Sequence, residues 1–551
     1  MHLLRYTTWA GTIVLALASL VLALRFGGAP LWILFAVAAA LALLGLRDVL
    51  QTRHAIQANY PVIGHMRYIF ESVRPEIRQY FIEGELDGRP FNFEQRAMIY
   101  QRAKGAPDYD PFGSELDVRE VGYEWVEHSI AAKHAPKTAP RVRVGGPKCS
   151  KPYDVSLLNV SAMSFGSLGP SAVRALGRGA KLSGFAQSTG EGGVSRYHLE
   201  TGADLVWQIG TGYFGCRADD GTFDADRFEE RARHDAVKMI EVKLSQGAKP
   251  GHGGILPGHK VTPEIAEARG VEVGQPCLSP PAHTAFSTPR ELVAWVDRLR
   301  ELSGGKPVGI KLCVGLPHEF MAIVKAMVET GSGPDFVTVD GGEGGTGAAP
   351  PEFGDNMGSP LEEGLVFVRN ALTGAGLADR VRIAASGKVV NGMDLLRCLA
   401  LGADFCNAAR SFMISIGCIQ AQVCHTNHCP AGVATMEPLR NRGLDPTDKG
   451  VRAGRFQEET VKALLELSGA AGLDAPNDIT PERIRRRIAP DVVRTLAEIH
   501  TFEPGPTLLG GNAQQSLQEA YDRANPDSFA PRSPTRATAD EVIVPQPAAP
   551  R

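Results

Sequence analysis

Three cysteines, Cys418, Cys424 and Cys429, stand at a C-x5-C-x4-C spacing followed by Pro430 and Gly432. Thiolates are soft ligands, and three of them match a [3Fe-4S] cluster, which takes one ligand fewer than the usual four. A zinc ion would need a fourth ligand, which His425 or His428 would supply. A disulfide would leave one cysteine over. A second set of chemically capable side chains lies upstream. Lys243, Gln246, Lys249, His252 and Lys260 punctuate the glycine-rich run KLSQGAKPGHGGILPGHK, and Glu191 sits between glycines in STGEGG.

The elements that would position these residues follow a regular rhythm. Short β-rich runs occur at 155–164, 185–188, 205–210, 239–243, 308–314, 336–340, 381–386 and 405–409. Stretches with helical spacing lie between most of them, at 171–182, 289–302, 318–330, 360–372 and 392–401. Strands alternating with helices imply a parallel sheet, and eight strands over about 260 residues match a (β/α)8 TIM barrel. An open doubly wound sheet is the competitor. It lacks the G-x-G-x-x-G that should follow its first strand. In a barrel, chemistry belongs to the loops after the strands. Here those loops read SAMSFGSLGP, STGEGG, KLSQGAKPGHGG, DGGEGGTGAAP and SGK. Small residues let backbone groups approach a flat ligand, and glycine runs at late strands cradle phosphate.

The rest of the chain sets the frame. It has 551 residues, 43% of them hydrophobic, enough for one large core with extensions. A net charge of −3 gives no electrostatic case for nucleic acid. The six remaining cysteines of nine are scattered, several in apolar runs, as in a reducing compartment. Residues 7–24 and 29–46 are uncharged and largely apolar, parted by Arg25-Phe26-Gly27-Gly28. Each is about the length that spans a bilayer, and a helical hairpin satisfies the backbone groups that lipid cannot. Arg5, Arg47, Arg53 and Arg67 flank the pair against Arg25 in the turn, so both ends and the main domain are expected on the cytoplasmic side of the inner membrane. A cleaved signal peptide would not be followed by a second span. The expected divisions are a transmembrane hairpin (1–50), a connecting collar (51–150) that is amphipathic around 65–81, a barrel with its cysteine segment (151–435), a helical C-terminal extension (436–524) with helices at 456–467 and 489–499, and a disordered tail (525–551).

SAMSFGSL, STGEGG, QGAKPGHGGILPGHK, SPPAH, DGGEGGTGA and the cysteine run closely resemble the FMN-binding synthase domain of glutamate synthase, over about residues 151–435. With its two leading spans the chain looks like the membrane-anchored, stand-alone members of that family. The resemblance implies an FMN lying across the barrel mouth. Backbone around Ala162, Met163 and Ser164 would meet the pyrimidine edge, and Gln208 would hydrogen-bond it. Lys311 would sit near N1 and O2, where a cation favours the reduced ring. Phosphate would fall to Gly341, Gly342, Gly387, Lys388, Ala409 and Arg410, although relatives carry G-T-G where this chain has Ala408-Ala409-Arg410.

The family's substrate is 2-oxoglutarate, condensed with ammonia to an imine that the reduced flavin converts to L-glutamate. Lys243, Lys249 and Arg269 would bind the dianionic keto acid and Gln246 would orient it. Glu191 would move a proton or accept from loop amides. Lys260 and His259 are expected to be structural. Electrons are expected from a ferredoxin or a reductase subunit, through the three-thiolate cluster. Nothing before Lys151 resembles a glutaminase domain, so free ammonia, another amine or a separate glutaminase would supply nitrogen. An acid usually stands at His252 and a glutamine at Ile255. That difference keeps an N-alkylglutamate synthase or another amino-acid oxidoreductase in view, beside a non-catalytic membrane-tethered electron-transfer module.

Overall fold

The computed structural model describes residues 4–109 and 111–532. Two compact units result, residues 4–94 and the remainder. In the first, helices α1 (Thr7–Phe26) and α2 (Ala29–Leu50) form the expected hairpin, each a few residues longer than the apolar run. Both are long and apolar enough to cross a membrane, with mean hydropathy 1.9 and 2.3 and most side chains facing outward. They approach closely at Gly45, where any Cβ would collide with the Trp9 ring. The Trp9 indole donates to Ala42 O at 2.8 Å. A further helix, α3 (His65–Ile77), runs on into a π-helical turn at Arg78–Ile82.

The second unit is the barrel. Its strands are β1 (Leu158–Val160), β2 (Ala186–Ser188), β3 (Asp204–Ile209), β4 (Val237–Lys243), β5 (Val308–Leu312), β6 (Phe336–Asp340), β7 (Arg382–Ser386) and β8 (Phe405–Ala408). They close in sequence order, β8 pairing with β1 through Cys406–Leu158 and Ala408–Val160, and every pair is parallel. All eight coincide with runs read from the sequence, six lying wholly inside them, while β3 begins one residue and β4 two residues earlier. The strands are short and nearly wholly buried because helices cover one side and core side chains fill the other.

An antiparallel hairpin of Val142–Val144 and Tyr153–Val155 closes the floor. Its Val144 and Val155 pack with Ala186, Val206, Met239, Phe336, Ala384 and Phe405. Residues from Val142 onward therefore belong to the barrel and not to a collar. The 25-residue helix Pro446–Ala470 crosses Pro170–Ser183 where Gly179 faces Gly450 and Ala453, and no larger residue fits at Gly179.

Two expectations change. Residues 484–495 form an antiparallel pair, Ile484–Ala489 with Val492–Thr495, joined by Glu124–Val126 into a three-stranded sheet. Only Leu496–Ile499 is helical there. Pro490 and Asp491 form a turn that stops a helix, and the flanking valines and isoleucine favour strand. The extension is thus mixed α and β. The tail also begins later than residue 525. Arg290 pairs with Asp527 at 2.7 Å, and Lys325 Nζ donates to Ala524 O at 3.2 Å. The rest of that tail, 533–551, lies outside the described residues.

Candidate active site

The carboxyl ends of the strands carry the site. The excursion between β4 and β5, residues 244–307, arches over this end of the barrel and returns through Ile255–Leu256 paired with Cys277–Leu278. Lys243, the last residue of β4, points its ammonium at Glu191 Oε2, 3.2 Å away. It also donates to Gln246 Oε1 at 2.9 Å. Glu191 reaches it from the tight turn Gly190–Gly192 after β2. Gly190 has φ +63°, and a Cβ there would meet the Ser164 nitrogen at 2.5 Å, so glycine lets the β1 and β2 loops touch. The Glu191 carboxylate fills the space that side chains at Gly210 and Gly254 would occupy.

Two more cations complete the set. Arg269 ends the helix Pro263–Arg269 and is buried, its Nη2 donating to Phe165 O at 3.2 Å while Nε has no partner. Lys249 is also buried, and its ammonium forms no hydrogen bond among the described residues. Burial holds the Lys249 pKa below its ordinary value, with Glu191 acting in the opposite sense. Burial would raise the Glu191 pKa, but Lys243, Arg269 and Lys249 together bring it below the ordinary carboxylate range. Three cations thus gather around one carboxylate, an excess of positive charge that a dianion would balance.

The flat part of the mouth lies across β1, β3, β5 and β6. Ala162, Met163 and Ser164 line it half-exposed. Gln208 is buried on β3, and its Nε2 donates to Glu241 Oε2 at 2.5 Å. Thr338 donates to the other oxygen of Glu241 at 2.6 Å. A carboxylate only accepts, so Glu241 turns the Gln208 amide with its oxygen away from it. Lys311 is buried on β5 with Asp340 Oδ2 at 3.5 Å, so it does not snorkel to solvent. Asp340 Oδ2 also accepts from Gly247 N–H at 2.8 Å, which ties the β4 loop to β6. A Cβ at Gly247 would sit 1.7 Å from Gly341 O, so this junction admits glycine alone.

The phosphate residues divide. The amide of Gly341 donates to Ser386 O and that of Gly342 to Ser359 O, each at 2.8 Å, so both are engaged within the protein. Gly387 and Lys388 follow β7 with φ +155° and +51°, an unusual left-handed turn for lysine. Ala409 and Arg410 open the short helix after β8, and Arg410 Nη2 donates to Glu343 O at 2.6 Å.

His283 and Tyr213 were not singled out from the sequence. His283 Nε2 donates to Lys243 O at 2.9 Å, and its Nδ1 faces the Tyr213 hydroxyl at 3.2 Å. That hydroxyl accepts from the amides of Thr284 and Ala285. Burial pushes the His283 pKa down to about 4, so the ring is neutral and fixes the strand end that carries Lys243. The SPPAH run was the signal. His252 stands on the mouth loop, edge-on to Phe353 at 5.3 Å. Ile255 faces outward, 46% exposed.

The cysteine loop follows the helix after β8. Gly417, Gln420, Gln422 and Asn427 all have positive φ, a run of backbone that L side chains rarely adopt. Burial pushes the Cys418 thiol up to about 12, with Cys424 and Cys429 adding to the rise. Lys260 is buried and donates to Cys424 O at 3.2 Å and Ala434 O at 3.3 Å. Among the described residues no three His, Cys, Asp or Glu side chains converge on one ion position. His428 pairs with Glu437 at 2.7 Å, and both His425 and His428 are exposed. A cluster spreads its thiolates over separate irons and does not need them to meet at one point.

Residues 107–474 match the model of the conserved region in glutamate synthase. The glutamate synthase large subunit-like protein YerD of Bacillus subtilis (strain 168) is 38% identical over 480 residues, 80% of this chain and 91% of that protein. The archaeal glutamate synthase (NADPH) of Methanocaldococcus jannaschii is 31% identical over 396 residues, 69% of this chain and 72% of that protein. Among solved structures, mandelate oxidase with (S)-2-phenylpropionate aligns with 75% of this chain and 95% of its own, at 15% identity and a TM-score of 0.38.

Proposed function

The chain belongs to the glutamate synthase family, and on that footing we propose that it is an FMN- and iron–sulfur-dependent oxidoreductase that makes L-glutamate from 2-oxoglutarate and ammonia. The observation that carries the reading is the trio Lys243, Lys249 and Arg269 around Glu191, with Lys249 buried and forming no hydrogen bond among the described residues. A dicarboxylate keto acid supplies the charge this cluster lacks.

The residues fit the absent groups. At the mouth, the Gln208 amide oxygen is turned away from Glu241, available to an N–H of a flat ring. Lys311 stands beside the same space, and Gly387, Lys388, Ala409 and Arg410, after β7 and β8, would hold the phosphate. FMN bound there would supply the hydride that reduces the imine carbon. Lys249 and Arg269 hold the carboxylates of the keto acid. Lys243 and Gln246 orient its carbonyl, and Glu191 Oε2 takes the proton released as the amine adds. The condensation loses water, and two electrons and two protons complete the amino acid. Cys418, Cys424 and Cys429 would hold a [3Fe-4S] cluster, which would supply one-electron transfer from a ferredoxin or reductase partner. The α1–α2 hairpin would anchor the chain in the cytoplasmic membrane, the catalytic unit on the cytoplasmic side.

A second reading replaces ammonia by a primary alkylamine. It rests on the aromatic margin where His252, on the loop after β4, meets Phe353 on the helix Pro351–Asn356 after β6. The test is a visible spectrum and iron assay of the purified full chain. Reoxidation of the reduced protein by 2-oxoglutarate with ammonia, then with methylamine or ethylamine, follows, with the product identified by mass. Glutamate from ammonia upholds the first reading and N-alkylglutamate the second. A protein with flavin that no keto acid and amine pair reoxidises would leave only an electron-transfer module.

A further inference from the structure

Helix α3 and its π-helical continuation bury none of their side chains. Met66, Ile69, Phe70, Val73 and Ile77 recur at helical spacing along one face, and Phe81 and Ile82 extend it, 84% and 69% exposed. An apolar stripe about 25 Å long that nothing within residues 4–94 covers is too large to be left in water. Arg67, Arg74 and Arg78 lie in a row along one flank of the stripe. With Phe70, Ile77 and Ile82 they line an open groove of about 580 Å³.

Where this helix starts decides what covers it. Asp48 near the end of α2 is fully buried. Its carboxylate accepts from His65 Nε2 at 2.9 Å and from Val62 N–H at 3.0 Å. The first residue of α3 is thereby clamped to the end of an apolar helix of 22 residues, about 33 Å long and close to the thickness of a hydrocarbon core. If α1 and α2 span the membrane, as proposed above, α3 begins at the bilayer surface. Arg67 and Arg78 share charge with Glu71 and Glu83, at 3.0 and 3.3 Å. Arg74, in the middle of the row, forms no ion pair among the described residues.

We propose that α3 lies in the headgroup layer and that its groove binds an anionic phospholipid. The lipid phosphate would sit against Arg74 between Arg67 and Arg78, and an acyl chain along Phe70, Ile77 and Ile82. Guanidinium groups take phosphate oxygens in pairs, and an apolar wall beside them suits an amphiphile more than a polar protein surface. The inference rests on the membrane-spanning reading of the hairpin.

The experiment places the photoreactive residue p-benzoylphenylalanine at Phe70 in the full chain. The protein is put into nanodiscs of phosphatidylcholine with and without phosphatidylglycerol, and adduct masses are read after irradiation. A lipid adduct is expected, with phosphatidylglycerol enriched about fivefold over its share of the bilayer. The enrichment should vanish in Arg67→Gln/Arg74→Gln/Arg78→Gln, and the same probe at Ser72, on the polar side, should give no lipid adduct. A cross-link to a second protein, no adduct at Phe70, equal adducts at Ser72, or lipids captured in proportion to their abundance would each overturn the proposal. Failure of the chain to enter nanodiscs at all would overturn the spanning reading with it, whereas insertion with a silent Phe70 position would defeat this inference alone.

Discussion

The Lys243 ammonium lies 3.2 Å from Glu191 Oε2, so two groups to which the proposed reaction assigns roles are an ion pair in the free protein. Burial acts to raise the Glu191 pKa, but Lys243, Arg269 and Lys249 overcome it. Glu191 is therefore charged at neutral pH, and in the proposed reaction it would begin as a proton acceptor. Glu191→Gln keeps its shape and removes that capacity. The expected result is a fall in kcat of about a hundredfold with a smaller change in the KM for the keto acid. Steady-state rates with ammonia in excess check it, and an unchanged kcat would reduce Glu191 to a structural acceptor.

Lys249 makes a separable prediction. Lys249 is a buried residue that forms no hydrogen bond among the described residues, so in the free protein its charge would cost stability, and in the proposed complex it would bind a carboxylate. Lys249→Met should raise the KM for 2-oxoglutarate about ten- to a hundredfold, the loss of a charged hydrogen bond worth about 1.5–3 kcal/mol. The melting temperature of the free protein should hold or rise. A melting temperature that drops with KM unmoved would make Lys249 a structural lysine.

Much of this was legible in the chain because barrel strands are buried on both faces and read as short, mainly apolar β-rich runs, such as Val308–Leu312 and Phe336–Asp340. The mouth residues were legible because glycine-rich loops advertise close backbone contact. Glu241 was not. In Val237–Lys243 it reads as one polar residue in a short strand, and only closure of the barrel turns it inward to meet Gln208 and Thr338. His283 was hidden for a similar reason, because its partners Lys243 and Tyr213 are distant in sequence. The helix read at 489–499 misled because Val492–Thr495 becomes a strand only by pairing with Ile484–Ala489. The other pairing partner of Ile484–Ala489, Glu124–Val126, lies far back in the chain.

The neutral, buried His283 gives a pH dependence. Burial is the main cause of its pKa of about 4, against an ordinary value of 6.5, and the hydrogen bond to Lys243 only partly offsets it. The unfolded chain takes this proton more readily than the folded one. Its contribution is therefore fully present above about pH 6.5 and is lost as pH falls from there to about 4, at most about 3 kcal/mol. His198, pushed down to about 3 by burial, acts in the same direction. Urea midpoints at about pH 7 and about pH 5 should differ less in His283→Gln than in the parent protein. An identical pH dependence in both would mean that the ring is not buried in its neutral form.

Lys260 ties the cysteine loop to the site loop, and that connection can be cut without touching a thiol. Two of its three donors go to Cys424 O and Ala434 O, on opposite arms of the loop. A methionine there has nearly the same volume and leaves two buried carbonyls without partners, at about 1–3 kcal/mol each. The barrel does not depend on those bonds, since its closure runs through β1 to β8. Lys260→Met should therefore keep its flavin while iron per chain falls at least about twofold, with the remaining cluster lost faster on dilution or chelation. His425→Ala and His428→Ala, at exposed positions, should retain full iron. Cys424→Ala should lose it. If instead a histidine variant strips the metal and Lys260→Met retains it, the ligand set is not three thiolates and the loop holds a different ion.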